Sequence, residues 1–387
     1  MYSVKRFIYF FIIFSIFFLP NIAFAQDEDD LIKKTNRIDN YEILSISQPG
    51  SLFYSVTNGI IKSAINLNSN LTFIGRANVG LEKIVDKNNL EKLTTRKDYL
   101  YSLSIKTIHN DVSDLFYSKK VSKSLINNEI IISELTANLY SLEKGDVMFL
   151  VGLNQEEVEV VVGEIITDTE IGWFEGVLNK DMGYKLGINR NIQAIIWGNK
   201  ITENHLIEIY RNIDYKKIRV TGRNSTPNRN WVLPTALVKE MFGDFQIKER
   251  DGTWITIDQT WKNENIETKR VPILGRITCH RLMWEPLVGV LNQIIEEGLE
   301  SGLSREQFIS SGGCYAPRRI SRFDSGGSIS RHAWGIAIDI NTRTGYKPRI
   351  VEIFNDWGYA WGGTWTSPDA MHFELRSLSA SISQANK

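Results

Sequence analysis

Ser330-Arg331-His332-Ala333-Trp334-Gly335-Ile336-Ala337-Ile338-Asp339-Ile340 is the stretch on which the reading of this chain turns. Ile336, Ile338 and Ile340 alternate with Ala337 and Asp339, the period-two pattern of a strand that buries its isoleucines and turns Asp339 to the other face. Fully extended, the residues from His332 to Asp339 would hold the two side chains more than ~20 Å apart. They share an ion only if the chain folds back between them, and Gly335 supplies a place to turn.

A second segment, Trp361-Gly362-Gly363-Thr364-Trp365-Thr366-Ser367-Pro368-Asp369-Ala370-Met371-His372-Phe373-Glu374-Leu375, repeats the logic. Met371, Phe373 and Leu375 alternate with His372 and Glu374, so a strand presents a histidine on its polar face. Two histidines and one carboxylate make a three-ligand set, and three protein ligands with water in the fourth position is the pattern of a catalytic zinc. A further carboxylate nearby serves as general base on the bound water.

Ser330-x-His332-x-x-Gly335-x-Ala337-x-Asp339, followed by Trp-Gly-Gly and Asp369-x-x-His372, resembles the two metal motifs of the M15 peptidases. That family comprises D-alanyl-D-alanine carboxypeptidases of the VanY type and L-alanyl-D-glutamate endopeptidases. The resemblance covers about residues 225–377. It implies one zinc ion per chain held by His332, Asp339 and His372, with Asp369 as the base. It also implies an upstream arginine that grips a substrate carbonyl or carboxylate. Tyr315-Ala316-Pro317-Arg318-Arg319 lies where that arginine is expected, with Arg318 the first choice and Arg319 the alternative. Glu374 is the competing base, or else a group that orients a ligand. Ser330 is assigned a hydrogen bond near the site, since no base and orienting acid are arranged to make it a nucleophile. The implied fold is a small antiparallel sheet with flanking helices and the metal on the sheet's open face.

Outward from these motifs, Leu287, Val290, Leu291, Ile294 and Ile295 recur at helical spacing between Pro286 and Gly298. Ile350, Ile353, Phe354 and Trp357 mark a second helix, with Gly358 placed to take the left-handed conformation at its end. Trp334, Trp357, Trp361 and Trp365 read as core or rim packing. His109, His205 and His280 have no ligand company and are assigned structural roles. Cys279 and Cys314 are the only two cysteines, and in an oxidising compartment they are expected to pair.

The polar, turn-rich run Thr221-Gly222-Arg223-Asn224-Ser225-Thr226-Pro227-Asn228-Arg229-Asn230 marks an interdomain connection. Before it the chain reads as short strands, with Asp146–Gly152 and Glu157–Gly163 forming a hairpin. No cluster there implies chemistry. The N-terminus carries Lys5 and Arg6, an apolar run from Phe7 to Phe24 and Ala23-Phe24-Ala25, the order of a secretory signal peptide cleaved after Ala25. Lys and Arg total 45 and Asp and Glu total 45, with no basic block, which argues against nucleic acid as a partner. No other long apolar run exists, so no membrane span is expected after cleavage.

The sequence therefore predicts an α+β protein with a signal peptide at residues 1–25. A separate β-rich N-terminal domain at 26–220 and an M15-like peptidase domain at 221–387 follow. The expected function is zinc-dependent hydrolysis of peptidoglycan stem peptides, as carboxypeptidase or endopeptidase, in the periplasm or cell envelope. The alternative is a catalytically silent, zinc-bearing binding module. An envelope partner for the N-terminal domain is a further expectation.

Overall fold

The computed structural model describes residues 41–47, 52, 54–201, 203–213, 219–222, 232–310, 313–341, 347–365 and 367–378. The expected signal peptide and residues 223–230 of the polar connection lie outside them. The chain divides into two compact units, residues 1–73 with 192–226, and residues 74–191 with 227–387. Residues on both sides of position 220 thus contribute to the second unit.

In the first unit, strand Tyr41–Ser47 pairs antiparallel with Asn191–Ile201 and with Arg219–Gly222. Helices Tyr54–Asn66 and Glu203–Asn212 complete it, over a small core that includes Ile46, Ile60, Ala194, Ile196 and Ile209.

The β-rich part of the second unit is a closed barrel. Its strands are β1 (Asn70–Val85), β2 (Tyr101–Ile108), β3 (Ile130–Ser133), β4 (Val147–Val151), β5 (Glu157–Ile166) and β6 (Gly176–Asn179). They run β1-β2-β6-β3-β5-β4, and β4 pairs back onto β1. Closure leaves no unpaired edge, and alternate residues such as Val79, Leu81, Leu103, Ile105, Ile130, Ile132, Met148 and Leu150 fill the interior. The expected hairpin is β4–β5, in register from Val147 opposite Val161 to Val151 opposite Glu157.

The C-terminal part holds two hairpins, Ile247–Glu249 with Ile255–Ile257 and Ile266–Val271 with Gly275–His280. Helices α1 (Trp284–Glu296), α2 (Arg331–Trp334) and α3 (Pro348–Asp356) pack with a three-stranded antiparallel sheet of β7 (Ala337–Asp339), β8 (Tyr359–Trp361) and β9 (His372–Leu375), with β9 in the centre. Leu287, Val290, Leu291 and Ile294 of α1 are fully buried, whereas Ile295 is 43% exposed. At about 100° per residue Ile295 sits roughly 80° round from Leu287, at the edge of the buried stripe. The helix also begins two residues before Pro286, because a proline in the first turn removes an N–H that has no intrahelical partner there. α3 forms where its periodicity predicts, and Gly358 takes φ +87° beyond its end. Cys279 and Cys314 are joined in a disulfide with Cα atoms 5.4 Å apart.

The barrel and the C-terminal part share one unit because polar groups as well as apolar ones join them. Leu100 and Ile247 exchange backbone hydrogen bonds of 2.9 and 2.8 Å. Fully buried Lys239 lies 2.7 Å from Glu175 and 3.2 Å from Asp244, and it donates to the Ser102 carbonyl at 2.6 Å. Tyr140 donates to Asp244 and lies 3.3 Å from Lys239 Nζ. Burial opposes the charge on Lys239, but the two carboxylates outweigh it and raise its pKa.

Candidate metal centre

Each ligand position follows from a local feature of the backbone. The Ser330 side chain caps α2 and accepts from the His332 N–H at 3.4 Å. Gly335 ends that single turn at φ +69°, and a Cβ there would lie 2.7 Å from the His280 nitrogen, so only glycine fits. The reversed chain enters β7, where Asp339 stands directly opposite His372 of β9. Ala337 stands opposite Glu374 in the same register. His332 thus comes from a helical turn, while Asp339 and His372 come from paired strands.

The three side chains converge. His332 Nε2 lies 3.2 Å from Asp339 Oδ2, His372 Nδ1 lies 2.9 Å from Asp339 Oδ1, and the two imidazole nitrogens are 3.3 Å apart. The outward nitrogens are already committed. His332 Nδ1 donates to the Cys314 carbonyl at 3.0 Å, and His372 Nε2 lies 3.2 Å from Glu374 Oε2. Those partners occupy the outer nitrogens, so the inner ones face each other and the carboxylate, bonded to it while they carry a proton and free to ligate a cation once that proton leaves. One ligand atom from each residue lies within 4.8 Å of the others, close enough for the three to share one cation. The donor set, two imidazoles and a carboxylate with oriented outer nitrogens, fits a divalent metal.

Burial accentuates this. All three residues are buried. The Trp365 ring packs 5.2 Å from that of His372. Burial resists ionisation of Asp339, yet hydrogen bonds from His332 and His372 outweigh it and hold the carboxyl well below the usual range. Burial likewise disfavours charge on His372, but Asp339 and Glu374 raise its pKa to about 9. The two shifts are the two sides of one pairing, in which the carboxylates and the imidazoles stabilise each other's charged forms.

The remaining candidates lie around this point. Asp369 is half-buried, its N–H bonds the Gly362 carbonyl at 2.9 Å, and its carbonyl accepts from the His372 N–H at 3.2 Å. A Cβ on Gly362 would meet the Asp369 carbonyl at 2.5 Å and the His372 Cβ at 3.3 Å, which explains the glycine in Trp-Gly-Gly. Glu374 is buried between His372 and Arg331, the latter 3.9 Å away. The two arginines separate clearly. Arg319 is buried and forked onto Glu249 at 2.9 and 2.7 Å, with the Gly327 carbonyl taking a third bond at 2.7 Å. Arg318 is half-buried, makes no ion pair among the described residues, and runs beside the metal helix through the Ser330 N–H to Arg318 carbonyl bond. The disulfide lies one bond from the site, since the Cys314 carbonyl is the group that orients His332.

The tryptophans divide. Trp334 is fully buried and donates to the Gly243 carbonyl, whereas the half-buried Trp365 ring lies 5.2 Å from His372. His280 is buried, contacts the Phe242 carbonyl through Nε2 and caps Leu282 through Nδ1, a structural role. Arg331, which holds Glu374 and donates to the Leu233 carbonyl, was not singled out from the sequence. Its position next to a ligand histidine was the one signal that pointed to it.

A buried His–Asp–His group beside a small antiparallel sheet, with an acidic residue three positions before the last histidine, is a candidate metal site. Residues 324–375 match the family model described as D-alanyl-D-alanine carboxypeptidase, in line with the M15 resemblance of the motifs in this region. The match contains Ser330, His332, Asp339, Asp369, His372 and Glu374, and it stops short of Arg318 and both cysteines. No curated protein matches the chain.

Proposed function

We propose that this protein is an exported zinc peptidase that hydrolyses amide bonds in peptidoglycan stem peptides, as carboxypeptidase or endopeptidase. The observation that carries the reading is the convergence of His332 Nε2, His372 Nδ1 and the Asp339 carboxylate while both outer nitrogens are spoken for. His332, Asp339 and His372 would hold the zinc, which when bound would lower the pKa of a water and polarise the scissile carbonyl. Asp369 would act as the base that takes a proton from the attacking water and as the acid that returns it to the leaving amine. Arg318 offers its guanidinium fork to the developing oxyanion or to a terminal carboxylate. Glu374, through His372 Nε2, fixes the tautomer that leaves Nδ1 for the metal. The Cys279–Cys314 disulfide supports export, because such bonds persist in oxidising compartments. Among the described residues no helix is long and apolar enough to cross a membrane.

The test is mass spectrometry of stem peptides and crosslinked muropeptides after incubation with the zinc-loaded protein, beside Asp369→Asn. New fragments that vanish with a chelator and in the variant are expected, and their masses name the bond. Intact substrates under every metal tried would overturn the peptidase reading and leave a metal-bearing binding module.

A further inference from the structure

The barrel contributes a cation to the neighbourhood of the metal centre. Arg76 on β1 stands directly opposite Lys106 on β2, and on the same strand Asn78 points as Arg76 does. Asn78 donates to Ser328 Oγ at 2.8 Å, and its backbone N–H bonds the Gly326 carbonyl at 3.3 Å. This edge of the barrel is therefore fastened to the loop that leads, two residues later, into the Ser330 cap of the metal helix.

Arg76 is poorly used by its surroundings. Its one hydrogen bond among the described residues is long, 3.5 Å to Ser328 Oγ, and its guanidinium lies over the Phe174 ring at 5.5 Å. It is exposed to solvent, yet the protein around it desolvates it and the charge of Arg331 further depresses its pKa. The carboxylates nearby are engaged elsewhere. Glu175, whose charge reaches Arg76, is held by Lys239 at 2.7 Å, and Glu374 by His372 and Arg331.

Lys106 stands behind it without a carboxylate partner among the described residues. Its Nζ bonds the Tyr117 hydroxyl at 3.1 Å and faces the Phe116, Tyr117 and Phe174 rings at 5.1, 5.3 and 5.8 Å. Arg76 and Lys106 thus stand side by side on the barrel, neither with a carboxylate partner among the described residues, and the Arg76 strand is fastened through Asn78 to the loop that leads into the helix of His332. We infer that Arg76 is a substrate-positioning residue, which takes a carboxylate of the peptide substrate away from the scissile amide, with Lys106 adding to the field that holds it. A planar fork backed by Phe174 suits a carboxylate, and a stem peptide carries several.

This inference rests on the peptidase reading, and the experiment keeps the two apart. Stem peptides in which each carboxylate is amidated in turn are cut by the full protein and by Arg76→Gln and Arg76→Lys. One amidation is expected to raise the wild-type KM about tenfold with a much smaller change in kcat, as for loss of one charge-assisted pair. Arg76→Gln is expected to raise KM for the parent peptide to that level and to erase the preference, and Arg76→Lys to restore part of it. Thermal melting checks that the variants fold. An Arg76→Gln protein with the wild-type preference across the whole panel would overturn the inference while leaving the peptidase intact. Should the wild type cut none of the peptides, the peptidase reading falls. Binding of the same labelled panel then decides: binding weakened by amidation in wild type but not in Arg76→Gln keeps the subsite, and equal behaviour overturns it.

Discussion

Two buried polar clusters in the second unit make an instructive pair. Around Lys239 the acceptors Glu175, Asp244, Tyr140 and the Ser102 carbonyl gather on a cation that the chain itself supplies. Around Asp339 the imidazoles of His332 and His372 gather with no lysine or arginine between them among the described residues. Desolvation penalises both arrangements, and a buried charge cluster is tolerated only when opposite charge is brought in. The first cluster is completed from within and fastens the barrel to the C-terminal part. The second is completed only from outside, which is what separates a binding site from a brace.

The comparison breaks most sharply at a ligand. His372→Ala is expected to abolish stoichiometric zinc uptake, read by atomic emission, and all zinc-dependent peptide cleavage with it. Asp369→Asn, by contrast, should keep the zinc and lose about 10²–10⁴-fold in kcat, the range for a general base. Lys239→Met attacks the brace. It strands Glu175 and Asp244 and should cost ~3–5 kcal/mol in urea denaturation, with zinc content per folded molecule retained. Equal loss of metal and stability in that variant would mean the two clusters are one. Reducing the Cys279–Cys314 bond should cost about 2–4 kcal/mol, and zinc affinity should fall along with it, because the Cys314 carbonyl orients His332.

The smallest effect concerns pH. Burial lowers the His280 pKa from 6.5 to about 4, the Phe242 carbonyl opposing. Between these values the unfolded chain binds a proton that the folded one refuses, so stability falls as pH drops from about 6.5 to about 4, by up to about 3 kcal/mol. His280→Gln, which has no imidazole to titrate, should lose less across the same window in denaturation curves, and parallel losses would refute the assignment.

How much of this was legible in the sequence follows from the kind of signal each part carries. His332, Asp339 and His372 could be read because the chemistry demands particular side chains, and Gly335 because only glycine makes that turn. The helices α1 and α3 announced themselves by spacing, apart from Ile295, which lies too far round the cylinder. The barrel's membership could be read as β-rich, but not its closure: β2 with β6 and β3 with β5 pair in parallel across long separations that leave no local mark. Lys239 and Arg76 were likewise silent, since a lone lysine or arginine in sequence does not show which carboxylates stand near it. Arg318 and Arg319, alike in sequence, were told apart only by Glu249.

The pairing of Asp339 with His372 across β7 and β9 makes the first motif a ruler as well as an inventory. One residue inserted between Gly335 and Asp339 would leave every ligand in the chain, yet it would turn the aspartate into the apolar core and bring an isoleucine round to the histidines. Such a protein would pass any census of conserved-looking ligands and hold no metal, so spacing is the character by which a true relative of this site should be judged.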